Sequence, residues 1–255
     1  MFQFSYKKCF KAVLLAGGLL IAGTSCKKES REEIFPASLT IVNGVNDNTS
    51  FLLAYFGNSQ PKYYSRLSYI VSGSSFDYAT DKMNQTVTLF RNYDTLQPNN
   101  PFLKTTLQLD PGGIYTHFVY GSPAKVQQKT VKEQLPSRSL TDSVVNLRII
   151  NLFDNRPIDV VQLKPVPGTM VTNLDYEQLT GFIKVPVTAS VDSFRFEVRD
   201  HATGVTLTTL SDVNITPGSP TPNTLWLFKA RTMLVTGTWT TAGVFSARAK
   251  TIGHF

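Results

Sequence analysis

The side chains best suited to nucleophilic catalysis or metal binding are scarce in this sequence of 255 residues, which contains two cysteines and three histidines. Enzymes draw many of their nucleophiles, bases and metal ligands from these groups. His117, His201 and His254 are far apart in the sequence, and none has a second ligand at the spacing of a metal-binding motif. The chain also lacks the G-x-S-x-G elbow of serine hydrolases. We therefore expect no enzymatic activity, no catalytic residue, no metal site and no cofactor, the alternative being a Ser-His-Asp triad assembled only in space.

One cysteine, Cys26, stands in a context that gives its thiol a chemical role. Lysines at positions 7, 8 and 11 precede an apolar run over 13–22, and the small residues 23–25 lead directly to Cys26. This order of charged, apolar and small residues is typical of a secretory signal peptide. The apolar run of roughly ten residues is too short for a helix that crosses a bilayer, which needs about 20. Residues 1–25 are therefore predicted to be a signal peptide.

The residues around Cys26 resemble the signal of bacterial lipoproteins, in which a lipobox ends in a cysteine. In that family the thiol is diacylated, the bond before it is cut, and the new amino group is usually acylated too. The resemblance implies that Cys26 is the first residue of the mature protein and carries the lipid. The family usually has Leu three positions before the cysteine, where this chain has Gly23. The alternative is an ordinary secretory signal cut near Ser25.

A lipid on Cys26 makes the membrane an expected partner, because each buried methylene contributes about 0.8 kcal/mol and two or more chains hold a protein stably. We expect the protein at the outer membrane, on either its periplasmic or its extracellular face. Residues 26–36 form the lipidated tether in this interpretation, since charged residues dominate 27–33 and leave little to bury. Cys9 leaves with the signal peptide, so the mature chain has no disulfide.

The charge of the chain argues against a nucleic-acid partner. The formal charge of +7 falls to +4 when the three lysines of the signal peptide are removed. The remaining positive residues are scattered singly, whereas nucleic-acid-binding proteins cluster Lys and Arg on one face. We expect no binding to nucleic acid.

From residue 37 onwards the sequence alternates between apolar and polar residues in short segments that are bounded by Gly, Asn, Asp and Pro, which is the pattern of β-strands. Helical periodicity is almost absent, and the best helix candidate, 124–135, is polar. Residues 110–113, Asp-Pro-Gly-Gly, predict a tight turn. The predicted strands are 38–42, 51–56, 69–72, 86–93, 102–109, 115–120, 145–151, 193–199, 206–210, 224–228, 233–238 and 244–249.

Several of these segments recur in the same order, which indicates two copies of one domain. The segment 145–151 echoes 37–43, each an alternating strand that ends in Asn, and 193–199 and 206–210 match 86–91 and 104–109. The fourth match pairs 216–228 with 110–118. About seven short strands per copy with regular turns predict an all-β fold of two tandem immunoglobulin-like β-sandwich domains. Their predicted bounds are 37–121 and 143–255, with the polar stretch 122–142 as a linker.

The opening strand that ends in Asn, the Asn- and Asp-rich loop after it, and the late Pro-Gly turn before an aromatic segment resemble an uncharacterised family of bacterial envelope lipoproteins with tandem domains of unknown function. The resemblance covers roughly residues 37–255. It implies the fold and the location, and it implies no activity and no functional residues.

Aromatic residues in turn-rich segments give a candidate binding surface. Tyr63, Tyr64, Tyr69 and Trp239 are expected to present flat rings that stack on sugars or on a partner protein, the alternative being that they cover the edge of the core. The oxygen-rich loops at 46–50 and 154–159 are better explained by Asx turns than by calcium binding.

Three functions are compatible with these features. The first is a non-catalytic, lipid-anchored envelope protein that binds or positions another macromolecule at the outer membrane or cell surface. The alternatives are a glycan-binding accessory lipoprotein and an assembling, pilus-like surface subunit that exchanges strands with a neighbour.

Overall fold

The computed structural model describes residues 35–47, 51–57, 67–92, 100–137, 141–188, 190–213, 215, 226–240 and 243–254. These residues contain sixteen β-strands and no helix, so the all-β prediction is confirmed. It follows that none of them forms a helix long and apolar enough to span a membrane. The predicted signal peptide, Cys26 and the predicted tether up to residue 34 lie outside the described residues.

The first eight strands form a sandwich of two four-stranded sheets. One sheet has the order β4-β1-β7-β8 and the other β3-β2-β5-β6, and β1 runs parallel to β7 while the other pairs are antiparallel. The strands are β1 (Ala37–Val45), β2 (Leu52–Tyr55), β3 (Ser68–Ile70), β4 (Ser75–Thr80), β5 (Asn84–Arg91), β6 (Leu103–Gln108), β7 (Ile114–Ser122) and β8 (Lys125–Lys132).

The last eight strands form a second sandwich with the same topology. Its sheets have the orders β12-β9-β15-β16 and β11-β10-β13-β14, and β9 runs parallel to β15. Adding eight to each strand number of the first sandwich gives the second. The strands are β9 (Val144–Phe153), β10 (Ile158–Lys164), β11 (Gly168–Leu174), β12 (Ile183–Pro186), β13 (Ser193–Asp200), β14 (Thr206–Val213), β15 (Ala230–Trp239) and β16 (Phe245–His254).

The predicted repeat is therefore present in the fold, with one correction. Three of the four sequence matches align β1 with β9, β5 with β13 and β6 with β14. The fourth was wrong, because the counterpart of β7 is β15 and residues 226–228 form no strand. Trp226 is fully buried and packs on the rings of Phe194 and Phe196. Its apolar character therefore reflects packing in the core and not a position in a strand. Phe228 has a φ of 57°, which is incompatible with a regular strand.

A buried asparagine fixes the same contact in both sandwiches. Asn43 donates through Nδ2 to the carbonyl of Ile70 at 2.8 Å, and Asn151 donates through Nδ2 to the carbonyl of Leu174 at 2.8 Å. Each side-chain oxygen also accepts from the backbone NH two residues later. A buried polar group needs such partners, so the Asn that closes each repeated segment ties β1 to the end of β3, and β9 to the end of β11.

Each sandwich has its own apolar core, and a third core joins them. One face of β1 and β7 lines the first core and one face of β9 and β15 lines the second. The opposite faces of these strands pack on each other, and we call this contact the third core. It consists of Val42, Phe118, Tyr120, Ile150, Leu152, Leu234 and Ile252.

The third core uses equivalent positions from the two repeats. Val42 corresponds to Ile150 and Phe118 to Leu234, so the same face of each sandwich meets its counterpart, as in a two-fold dimer interface. Gly44 allows the close approach, since a Cβ on it would lie 3.4 Å from Cδ1 of Leu152 and 3.3 Å from Cβ of Tyr120. The described part of the chain from Phe35 onwards accordingly belongs to one compact unit.

The predicted linker and the predicted helix were both wrong at β8. Residues 122–142 were expected to connect two domains, but Lys125–Lys132 pairs along its whole length with β7 and completes the first sandwich. Two of its polar residues have partners in the second sandwich. Lys129 Nζ donates to the carbonyl of Glu177 at 2.9 Å, and Tyr176 donates to Gln127 Oε1 at 2.6 Å. The polarity of β8 therefore reflects an interface on one face, while the other polar residues are exposed, namely Lys125, Gln128, Thr130 and Lys132.

Candidate functional site

A polar cleft opens where the two sandwiches meet, at the ends of β1 and β15 and the start of β16. We call it the junction cleft. Its volume is about 300 Å³, within the size range of small-ligand sites. The side chains that matter for its chemistry are those of Asp47, Ser72, Thr236, Thr238, Ser246 and Arg248.

The pairing of β15 with β16 determines where most of these side chains lie. Thr236 on β15 lies directly opposite Arg248 on β16, and Thr238 lies opposite Ser246. Asn46, which follows β1, reaches across the junction and donates through Nδ2 to the carbonyl of Gly237 at 2.9 Å. The cleft therefore draws its walls from both sandwiches and depends on their fixed contact.

Arg248 is the main electrostatic feature of the junction cleft. Its side chain is half-buried, and it makes no hydrogen bond or ion pair with any residue that the structure describes. The hydroxyls of Thr236, Thr238 and Ser246 likewise have no hydrogen-bond partner among the described residues. A guanidinium and three hydroxyls thus face a space that can hold a polar ligand.

A closed equivalent of this cleft lies where the end of β9 meets the corner formed by β7 and β8. Tyr120 lies opposite Gln127 just as Thr236 lies opposite Arg248, so Gln127 is the counterpart of Arg248. The NH of Gly73 donates to the carbonyl of Asn43, and the NH of Glu177 donates to the carbonyl of the equivalent Asn151. The residues just before these donors, Ser72 and Tyr176, are therefore counterparts too. This closed counterpart measures about 140 Å³.

Four polar side chains at the closed counterpart form hydrogen bonds with one another. Tyr176 donates to Gln127 at 2.6 Å, and Tyr120 donates to Glu177 Oε1 at 2.8 Å. Burial, followed by the negative charge of Glu177, raises the pKa of Tyr176 to about 12, and the pKa of Tyr120 is raised for the same reasons. Both phenols therefore remain protonated donors at neutral pH. Tyr176 fills the space that Ser72 leaves open in the junction cleft.

The predicted aromatic surface is only partly visible. Tyr63 and Tyr64 lie outside the described residues. Tyr69, on the edge strand β3, is 57% exposed and has the Phe51 ring edge-on at 5.0 Å. Trp239 lies on the other sandwich, so Tyr69 and Trp239 are not on a common strand or sheet.

Trp239 is already engaged within the chain. Its ring stacks on Phe245 at 5.3 Å between centroids, and the guanidinium of Arg156 lies 4.2 Å from its centroid. Arg156 in turn forms two hydrogen bonds with the buried carboxylate of Asp200, at 2.6 and 2.9 Å. This geometry favours the interpretation that Trp239 covers the end of the second sandwich.

A buried ion pair crosses from the first sandwich to the second. Arg148 donates to both carboxylate oxygens of Glu133 at 2.7 and 2.6 Å, and their side chains are 5% and 0% exposed. Arg148 also donates to Thr232 at 2.8 Å, and Thr232 is hydrogen-bonded to His254 at 2.6 Å. Removing one member of such a pair typically costs about 3–5 kcal/mol, because the other charge is left buried and unpaired. The side chains of this cluster are buried and not accessible to a ligand, and they join the two sandwiches.

The histidines do not form a site together. His117 and His254 are buried in different sandwiches, and His201 follows β13, 2.8 Å from Asp159. No group of three or more His, Cys, Asp or Glu side chains among the described residues is arranged to hold a metal ion. The residues that could bind a ligand, Arg248 and Ser72, were missed by the sequence analysis. An alignment of the two repeats that extended to β8 and β16 would have drawn attention to Arg248, since it pairs Gln127 with Arg248.

No protein-family model matches the sequence, and no curated protein matches it. Among solved structures the chain is similar to family 41 carbohydrate-binding modules from streptococcal virulence factors, described for alpha-glucan recognition, with 10% identity, a TM-score of 0.25, and coverage of 78% of this chain and 93% of that one. It is also similar to the fimbrial anchor protein Mfa2 from Porphyromonas gingivalis, with 7% identity, a TM-score of 0.27, and coverage of 83% and 95%. TM-scores this low do not establish a common fold, so no property of these proteins is transferred to the chain.

The two buried histidines predict how stability depends on pH. Burial lowers the pKa of His117 to about 4, and burial together with the charge of Arg148 lowers that of His254 to about 4. The unfolded chain takes up these protons near pH 6.5, whereas the folded chain stays neutral until about pH 4. Stability is therefore full above pH 6.5 and falls as the pH drops towards 4, by about 3 kcal/mol for each histidine.

Urea unfolding of the wild type and the His117→Gln variant at a series of pH values from 7 to 4.5 measures this dependence. The variant should lose about half of the fall in unfolding free energy. A variant whose stability falls as steeply as that of the wild type would contradict the assignment. Arg156 holds the pKa of the Asp200 carboxylate at about 2, below the ordinary value of 3.8. The stability that Asp200 contributes is lost only as the pH falls below 3.8, so it does not affect the measurements between pH 7 and 4.5.

Proposed function

We propose that the chain is a non-catalytic, lipid-anchored protein of the cell envelope that binds another macromolecule through the junction cleft. The observation that carries the proposal is the half-buried Arg248, which faces the cleft with no partner among the described residues. The difference between the two clefts supports it, since Gln127, the counterpart of Arg248, is hydrogen-bonded to Tyr176 in the closed counterpart. A binding protein needs a site with unsatisfied groups on a rigid frame, and the third core supplies the frame.

The cleft lies at one end of β1. The described fold begins at Phe35, just before β1, and the cleft lies at the opposite end of that strand, beside Val45. Nine residues of strand span about 30 Å at roughly 3.3 Å per residue.

Lipid anchoring is tested by replacing each cysteine. Cys26→Ser should abolish labelling by an alkyne fatty acid fed to the cells, and should leave the protein soluble or uncut at the signal peptide, because the acceptor thiol is gone. Cys9→Ser is the matched control and should be labelled and sediment with membranes like the wild type. A Cys26→Ser protein that remains labelled, cut and membrane-bound would contradict the proposed anchor.

Binding through the cleft is tested by photo-cross-linking in intact cells. A benzophenone amino acid at Ser246, an exposed position of the cleft, should form adducts of higher mass on irradiation. The same amino acid at Val213, which is 60% exposed at the end of the edge strand β14, serves as the control and should not. Absence of adducts at Ser246, or equal adducts at both positions, would overturn the proposed function.

A further inference from the structure

We propose that the junction cleft binds an acidic saccharide of the uronate or sialate type, with Arg248 holding the carboxylate of the sugar. The inference rests on the proposed function, because it names the ligand class of the same cleft. It follows from four features of the cleft: its cation, its anion, its hydroxyls and its difference from the closed counterpart.

The cation is unusual within this chain. Every other buried or half-buried arginine in the described residues has a partner: Arg91 lies over Phe102, Arg148 pairs with Glu133, Arg156 with Asp200, Arg199 with Glu197, and Arg231 with Thr251 and the Trp226 ring. Arg248 alone among them has none. A guanidinium withdrawn from water is best compensated by an anion that accepts two parallel hydrogen bonds, which a carboxylate does.

The charge balance of the cleft favours a carboxylate over a phosphate. Asp47 lies on the same cleft as Arg248, so the two side chains bring one negative and one positive charge. A ligand group with a single negative charge is matched by the one guanidinium. A phosphate with a charge near −2 would face one cation and a nearby carboxylate, which repels it.

The remaining groups suit the hydroxyls of a sugar ring. Thr236, Thr238 and Ser246 line the cleft with hydroxyls that have no partner among the described residues, and a hydroxyl both donates and accepts hydrogen bonds. Most of the lining side chains are polar, the exceptions being Val45 and Pro123, and a polyhydroxylated ligand matches such a lining better than an apolar ligand does. The volume of about 300 Å³ is sufficient for one sugar residue.

The closed counterpart provides an internal comparison with the same backbone. There Gln127 replaces the guanidinium, Tyr176 replaces Ser72, and the two side chains hydrogen-bond to each other at 2.6 Å. The filled version has Gln127 where the junction cleft has Arg248, and it has about half of the volume, while Lys125 and Asp154 line its rim. Transferring its two residues into the junction cleft should therefore remove binding while keeping a side-chain pair that this backbone already accommodates.

Saturation-transfer NMR with the full chain in detergent tests the inference. The probes are glucuronate and N-acetylneuraminate, with glucose as the neutral match of glucuronate and inorganic phosphate as the competing anion. The wild type should bind at least one acidic sugar and should bind glucose at least tenfold more weakly. Arg248→Gln should weaken the acidic sugar about 10- to 100-fold, because a charge-assisted bond contributes about 1.5–3 kcal/mol, and Ser72→Tyr/Arg248→Gln should abolish binding.

Arg195→Gln is the matched control, since Arg195 is an exposed arginine of β13 outside the cleft, and it should bind like the wild type. Urea midpoints of all variants establish that they are folded. The inference is overturned if Arg248→Gln binds acidic sugars as well as the wild type, if glucose binds as tightly as glucuronate, or if no acidic sugar binds. Adducts at Ser246 in cells without binding of any acidic sugar would overturn this inference and leave the proposed function standing.

Discussion

The contact between the outer faces of sheets β4-β1-β7-β8 and β12-β9-β15-β16 is the interaction on which the rest of the structure depends. It buries both faces of the central strands β1 and β9, and it places Phe118 and Leu234 in an apolar layer between two complete sandwiches. Loss of one buried leucine from such a layer typically costs about 2–5 kcal/mol. The Glu133–Arg148 pair at its edge adds a directional constraint. Two repeats that could each fold around their own core are thereby held in one orientation.

That orientation creates two related clefts, and the side chains decide which of them is open. The same face of each sandwich meets the other, so the end of β1 faces the β15–β16 corner, and the end of β9 faces the β7–β8 corner. Tyr176 closes one cleft by hydrogen-bonding Gln127, whereas Ser72 leaves the other open beside Arg248. Specific binding requires available groups in a fixed geometry, and the open cleft presents the guanidinium of Arg248 together with three hydroxyls.

The sequence was sufficient for the fold class and the duplication, because alternating segments such as Ala37–Val45 and Val144–Phe153 carry their pattern locally. It failed at β8, where Gln127, Lys129 and Glu133 look like solvent-exposed residues but contact the second sandwich. It also failed at the cleft. Asn46 and Gly237, which meet across the junction, are 191 positions apart, and no local pattern predicts such a contact. Arg248 is distinguished from the other arginines only in the structure, where it has no partner among the described residues.

Differential scanning calorimetry of the full chain in detergent tests most directly whether the third core makes the two sandwiches one cooperative unit. A single unit should unfold in one transition, with equal calorimetric and van't Hoff enthalpies. This is the result that the account predicts, because separating the sandwiches would expose Val42, Phe118, Ile150 and Leu234 to water. Two resolved transitions, or a calorimetric enthalpy near twice the van't Hoff value, would contradict the account.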